Sequence, residues 1–403
     1  MTAPSPQAPD REPDVLDFPL PPPGSMGPPE QYARLRTDCP VARVGMPLGA
    51  TAWYVTRYDD VRELIADPRL VRPTINDWPA RRDDPAHHGP ALTTMAELEG
   101  PRHAALRRAV GPAFSARSIR DRMPRIRCLA ERLLADFQDR GSPGDLVAGF
   151  TEPFPLLVLC DLVGIPYEDR NRFLPVLDDA LDGMVSARES RRVTDLLRGY
   201  VGELIARKRR SPGDDVLSQL VHQCGEGELN DEDLLAFGLS MLTVGFGISG
   251  FFLANAVHTL LAQPGHYARL RDARHLMSDA VEEVLRYMPV MNGTVLLLAT
   301  EDVEVNGQTV RKGEAVVPVL ASANRDESVF TDADRLDLCR AANNHLAFGR
   351  GVHYCLGSHL ARAELTVGLE ALFDHFPLLR LAGTPTWDDE SLTKSPLTLP
   401  VSW

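Results

Sequence analysis

A mainly α-helical body with small β-sheets at one side is the fold class the sequence predicts, on three observations. Apolar residues recur at helical spacing through most of the chain. The run from Leu234 to Pro264 contains no Asp, Glu, Lys or Arg and reads as one long helix buried through a core. Strand-like alternation is confined to short stretches, Ala50 to Val55 and Val303 to Val317.

Met1 to Gly27 is Pro-rich and acidic and lacks a basic start followed by an apolar run. It therefore reads as a disordered or extended surface arm and not as a signal peptide, ahead of a single domain over residues 28–403. Tyr32 and Leu35 open an amphipathic segment, and Tyr58 to Asp67 is a short helix with Val61, Leu64 and Ile65 on one face. Val71 to Ala96, with Pro73, Pro79, Pro85 and Pro90, is a long irregular loop of the kind that carries function. Pro101 suits a helix start, after which His103 and Arg107 fall four apart on one face. A solvated basic face is the plain alternative for that pair.

Helices follow over Ile119 to Arg140, Pro155 to Leu162, Asn171 to Val185 and Glu189 to Lys208. Arg207-Lys208-Arg209-Arg210 followed by Ser211-Pro212-Gly213-Asp214 reads as a surface turn. Val216 to Cys224 is helical, and Asp231 starts the core helix. Ser278 to Tyr287 is a helix that halts before Pro289, with Glu283 and Arg286 on a common face. Asn306-Gly307 and Lys312-Gly313 are turns between strands.

A net charge of −13 argues against wholesale nucleic-acid binding. The six cysteines lack paired spacing, so a reducing compartment, the cytoplasm, fits better than a disulfide scaffold. The uncharged run is long enough to span a bilayer. Its Ser240, Thr243, Ser249, Asn255, His258 and Thr259, with Gly238, Gly245, Gly247 and Gly250, favour a protein core over lipid, so no membrane span is expected.

The chemistry centres on Phe348-Gly349-Arg350-Gly351-Val352-His353-Tyr354-Cys355-Leu356-Gly357. Leu356, Leu360, Ala363 and Val367 keep helical spacing, so Cys355 lies at a helix mouth, where amide N–H groups and the dipole favour a thiolate. Gly349 and Gly351 permit close approach of a flat partner, and Phe348 covers it. A single thiolate with basic neighbours Arg350 and His353 is what an axial iron ligand beside anionic groups needs. Two plainer alternatives stand beside this. Cys355 could be a small buried hydrophobe. It could also join His345, His353 and His359 around zinc, although structural zinc usually takes more than one Cys.

The whole string resembles the haem-binding loop of the cytochrome P450 family, F-G-x-G-x-H/R-x-C-x-G, with every fixed position filled. The resemblance implies a triangular helical body with a long core helix over haem b, Cys355 as axial iron ligand, and Phe348 and Gly349 against the cofactor. It implies that His103, Arg107 and His353 grip the haem propionates. Glu283, Arg286 and Arg340 match the family's buried structural E-x-x-R set. The implied partners are a small-molecule substrate, dioxygen, and a ferredoxin with ferredoxin reductase as electron donors. Family topology puts Trp78, Met95, Thr243, Phe246, Gly247, Ile248, Val290, Thr294, Val295, Leu392 and Thr393 around the substrate.

Two departures narrow the expectation. Oxygen-activating relatives carry A/G-G-x-D/E-T in the core helix, an acid and alcohol that help relay protons. Here the acid position is Gly247 and the alcohol position Ile248; Ser249 lies about 100° further round. Three interior glycines, each costing roughly 1 kcal/mol against Ala, call for thin backbone, either for close passage over the haem or for plain packing. The second departure is Leu297-Leu298-Ala299-Thr300, where many relatives have R-x-A-T, so a propionate is left mainly to His103, Arg107 and His353.

Gly245 to Pro264, Ala347 to Gly351 and Leu399 to Trp403 are similar to actinobacterial members acting on cyclic dipeptides, among which an aryl-coupling member also lacks the acid–alcohol pair. The expected reaction is therefore carbon–carbon or carbon–nitrogen coupling of an aromatic cyclic dipeptide. The alternatives are a hydroxylase with substrate-assisted proton delivery, a peroxygenase, and a non-catalytic haem-binding protein.

Overall fold

Proline, capping side chains and left-handed glycines set most element boundaries. The computed structural model describes residues 15–19, 24, 26–46, 51–73, 93–181, 187–225, 229–245, 247–288, 290, 295–341, 343–388 and 394–403. Helix α1 (Gln31–Asp38) buries Tyr32 and Leu35 and leads into the antiparallel pair β1 (Val41–Gly45) and β2 (Thr51–Val55). β1 was not apparent from the alternation; pairing with β2 and a backbone bridge from Leu16 organise it. Helix α2 (Tyr58–Leu64) and β3 (Leu70–Val71) follow. Helix α3 (Gly100–Val110) starts with Pro101 in its first turn. Ser115 caps α4 (Ala116–Asp139), its Oγ accepting from the Ser118 N–H.

After β4 (Gly144–Asp145) a π-helical turn, Val147–Thr151, enters α5 (Pro153–Val163), which ends on left-handed Gly164 at φ 86°. Helices α6 (Arg170–Leu181), α7 (Ala187–Arg210) and α8 (Val216–Gly225) come next. Arg207 to Arg210 belong to the last turn of α7 and not to a surface turn. Basic side chains suit the negative end of a helix. Three of these also find carboxylates, Arg207 with Asp169 at 2.7 Å, Lys208 with Asp215 at 2.6 Å and Arg209 with Asp231.

The uncharged core run is α9 (Asp231–Ser240), a π-helical segment Met241–Gly245, and α10 (Gly247–Ala262). Asn230 opens it with a capping box to Asp233. The run passes a length-and-composition test for a membrane span, but most of it is buried inside the protein against α5 and α14. The glycines answer to packing. A Cβ on Gly245 would meet Leu159 Cδ2 at 2.6 Å, and one on Gly250 would meet the Thr151 carbonyl oxygen at 2.9 Å.

Helices α11 (His266–Asp272) and α12 (Met277–Tyr287) lead to β5 (Leu297–Ala299), the hairpin β6 (Val303–Val305) and β7 (Gln308–Val310), and β8 (Ala315–Pro318). The hairpin turn takes Asn306 and Gly307 to φ 46° and 77°. Among the described residues one sheet has the order β1-β2-β8-β5-β3, parallel only between β2 and β8. Helix α13 (Leu320–Ala323) and a meander precede α14 (Ser358–His375), which packs along α4, α10 and α12. The short strands β9 (Arg380–Leu381), β10 (Thr386–Trp387), β11 (Pro396–Thr398) and β12 (Pro400–Ser402) close the chain.

Candidate haem site

The loop before α14 is held from both ends. Left-handed Gly349 and Gly351, at φ 68° and 74°, turn the chain so that the Cys355 N–H donates to the Phe348 carbonyl at 2.9 Å. A Cβ on Gly351 would meet the Ala66 backbone at 3.1 Å, so this glycine also answers a close approach from the end of α2. Arg362, one turn into α14, lies over the Phe348 ring at 4.5 Å and makes a bidentate pair with Glu282 of α12 at 2.6 and 2.8 Å. Burial of Glu282 opposes its ionisation, but Arg362 and His345 outweigh that and hold its pKa down to about 2. His345 is thereby engaged by Glu282 at 3.1 Å, and no three His, Cys, Asp or Glu side chains form a metal cluster among the described residues. The zinc alternative has no support.

Helix α14 begins at Ser358, so Cys355 stands just outside its first turn, approached by the Gly357 N–H. Burial pushes the Cys355 thiol up; the Gly357 amide and Arg107, Arg362 and Arg72 pull the other way without overcoming it. In the protein alone the helix mouth therefore does not suffice to make a thiolate. A bound metal ion would supply the missing charge.

His103 and Arg107 both turn from α3 toward this loop. His103 is buried and its ring centroid lies 4.4 Å from that of His353. Burial first, then the neighbouring His353 and Arg107, depresses its pKa to about 4. Arg107 donates to the Tyr354 carbonyl at 2.7 Å. His353 Nε2 lies 3.0 Å from Glu99 Oε1. Burial, with Arg72 second, lowers its pKa.

Arg72 and Glu99 complete the cluster, and no periodicity in the sequence marks either. Glu99 Oε1 also accepts from the Arg72 backbone N–H at 2.9 Å, while the buried Nε of Arg72 has no hydrogen-bond partner. An orphaned buried donor of this kind costs about 1–3 kcal/mol unless an acceptor reaches it. A thiol flanked by His103, Arg107, Arg72 and His353 is a fitting donor set for a flat iron macrocycle that carries two carboxylates.

Glu283 and Arg286 of the E-x-x-R set are fully buried behind the loop, and Arg340 closes the set from its half-buried edge. Glu283 accepts from Arg286 twice at 2.8 Å, from Arg340 at 2.9 Å, from Asn343 at 3.1 Å and from the Asp337 N–H at 2.8 Å. Arg286 spends its remaining donors on the carbonyls of Asn324, Ala333 and Arg335. The set joins α12 to the meander and has no atom to spare for chemistry.

Of the residues expected around a substrate, Met95, Thr243, Gly247, Ile248, Val290 and Val295 are described. Trp78, Phe246, Thr294, Leu392 and Thr393 lie outside the described residues. Met95 is buried, and its N–H donates to Ser240 Oγ at 2.7 Å, tying the loop to the core helix. Thr243 donates back to the Leu239 carbonyl at 2.9 Å, so its proton is used within the helix. Val290 is buried and Ile248 and Val295 half-buried; a Cβ on Gly247 would meet the Phe251 ring at 3.3 Å. Ser249 lies beside Glu364 of α14.

Comparison with known proteins agrees with this geometry. A family profile, Cytochrome P450, matches residues 167–400. The chain is 40% identical over 398 residues to the nocardicin C N-oxygenase of Nocardia uniformis subsp. tsuyamanensis, covering 97% of this chain and 99% of that protein. It superposes on the crystal structure of HinD with NMFT and NO at a TM-score of 0.89 and 38% identity, covering 97% and 100% of the two chains. It also superposes on the structure of the putative thioether synthase SgvP at 0.88 and 34%, with the same coverage. Helical architecture, cysteine loop and full-length similarity agree: this chain belongs to the cytochrome P450 family, the haem b monooxygenases that oxidise small organic molecules.

Proposed function

We propose that Cys355 is the axial thiolate ligand of haem b, that His103, Arg107 and His353 bind its propionates, and that a ferredoxin with its reductase delivers the electrons in the cytoplasm. We further propose that the native reaction is a dehydrogenative coupling, forming a carbon–carbon or carbon–nitrogen bond in or between aromatic cyclic dipeptides. The observation that carries this finer reading is the loss of both relay groups, at Gly247 and Ile248.

Bound at Cys355, haem would supply a strong oxidant able to remove hydrogen atoms or electrons. The chain's own residues would do the rest. Thr243 has its hydroxyl committed to Leu239, and Gly247 and Ile248 hold no exchangeable side-chain proton, so this stretch offers no ready proton donor to a bound substrate. Met95, Ile248, Val290 and Val295, apolar residues that family topology puts around the substrate, would orient a flat aromatic ring and exclude water able to trap a reactive carbon. Net coupling removes two hydrogens from the substrate and joins two of its atoms; dioxygen takes up these hydrogens with two electrons from the ferredoxin and two protons from solvent, and leaves as two waters.

Oxygen insertion is the second reading, favoured by the N-oxygenase named among the relatives. Product masses from tryptophan- and tyrosine-containing cyclic dipeptides, turned over with a surrogate ferredoxin system, separate the two. Loss of two hydrogens without gain of oxygen, in one molecule or a joined pair, is expected. Clean gain of one oxygen from dioxygen would return the protein to the hydroxylase reading.

A further inference from the structure

The strand register around Leu297 points to a cation that the loop motifs do not contain. β3 pairs antiparallel with β5, Leu70 opposite Ala299 and Val71 opposite Leu298. Continued by one residue, that register brings Arg72 abreast of Leu297, the position at which the family's R-x-A-T string carries its arginine. The guanidinium of Arg72 lies within electrostatic range of Glu97, Glu99 and Cys355, and its charge also acts on His103 and His353. Its Nε is shut off from solvent and has no hydrogen-bond partner. Neither nearby carboxylate bonds it: Glu97 accepts from the Thr94 N–H and hydroxyl, and Glu99 engages the Arg72 backbone N–H and the His353 ring.

We propose that Arg72 is a haem-propionate ligand, the β5 cation of the family carried here on the neighbouring strand. A buried guanidinium with a free donor requires an acceptor, preferably an anion, and a propionate reaching between His103, His353 and Arg72 supplies one. Arginine suits this place because its planar fork stays charged when buried. Leu297 can then be apolar without leaving the propionate short of a partner, and the backbone bond to Glu99 fixes where the side chain starts.

The inference rests on haem binding at Cys355, and its test separates the two. Haem transfer from the purified holoenzyme to excess apomyoglobin is followed by absorbance for wild type, Arg72→Leu and Arg72→Leu with Leu297→Arg. The reduction potential of each is measured alongside, with the unfolding midpoint of each apoprotein. Arg72→Leu should lose haem about tenfold faster or more, the scale of one charge-assisted hydrogen bond, and its potential should fall because a cation beside the iron is gone. Returning the cation on β5 should restore most of both. Unchanged haem loss and potential in Arg72→Leu would overturn the assignment while leaving Cys355 in place. Faster loss that Leu297→Arg does not restore, with a lower apoprotein midpoint, would mean packing and also overturn it. A wild type that holds no thiolate-ligated haem would remove both readings.

Discussion

Glu364 is the ionisable residue most at odds with its surroundings. It is 2% exposed, its Oε2 has no partner, and Ser249 lies beside it. Burial raises its pKa from 4.5 to about 8, with Ser249 opposing. Between those values the folded protein binds a proton that the unfolded chain releases, so stability is full below pH 4.5 and is lost as pH rises through about 8. Glu364→Gln should therefore raise the thermal midpoint at pH 8 and change it little at pH 5, measured on the same holoenzyme preparation. An equal shift at both would mean that Glu364 does not titrate there. This burial is partly legible in the sequence, because Leu360 and Glu364 fall four apart on the apolar face of the helix after Cys355. Arg72 was not legible in the same way. Its role depends on which strand β3 pairs with, and a two-residue strand carries no periodic signal.

At the scale of elements, the core helix separates packing from function glycine by glycine. A Cβ on Gly250 would strike the Thr151 carbonyl and one on Gly245 would strike Leu159, whereas one on Gly247 would meet the ring of Phe251. Gly250→Ala must push back a backbone atom and should cost about 1–3 kcal/mol in denaturant unfolding. Gly247→Ala has only a side-chain ring to displace and should be close to neutral or stabilising, since Ala outranks Gly in helices. Equal losses would contradict this division. The sequence announced three thin positions and the uncharged run, because both are written in composition. It did not announce the π-helical segment Met241–Gly245, whose extra residue per turn leaves no hydropathy mark. Arg207 to Arg210 likewise continue α7 because carboxylates outside that helix receive three of them, a fact of tertiary structure.

The whole molecule is a helical scaffold that brings α3, the strand β3 and the loop before α14 to one thiol. Its class was legible from helical periodicity, and its cofactor from the resemblance of ten consecutive residues, Phe348 to Gly357, to the family's haem-binding loop. The pocket for the substrate was less so, since its expected lining comes from separate segments, around Met95, Ile248, Val290 and Leu392, that no local motif ties together. The central claim is that Cys355 ligates haem iron as a thiolate. The most direct measurement is the absorbance spectrum of the purified protein, reduced under carbon monoxide, for wild type and Cys355→His. Wild type should show the red-shifted Soret band of thiolate ligation and the variant should lose it. Persistence of that band in Cys355→His would contradict the claim.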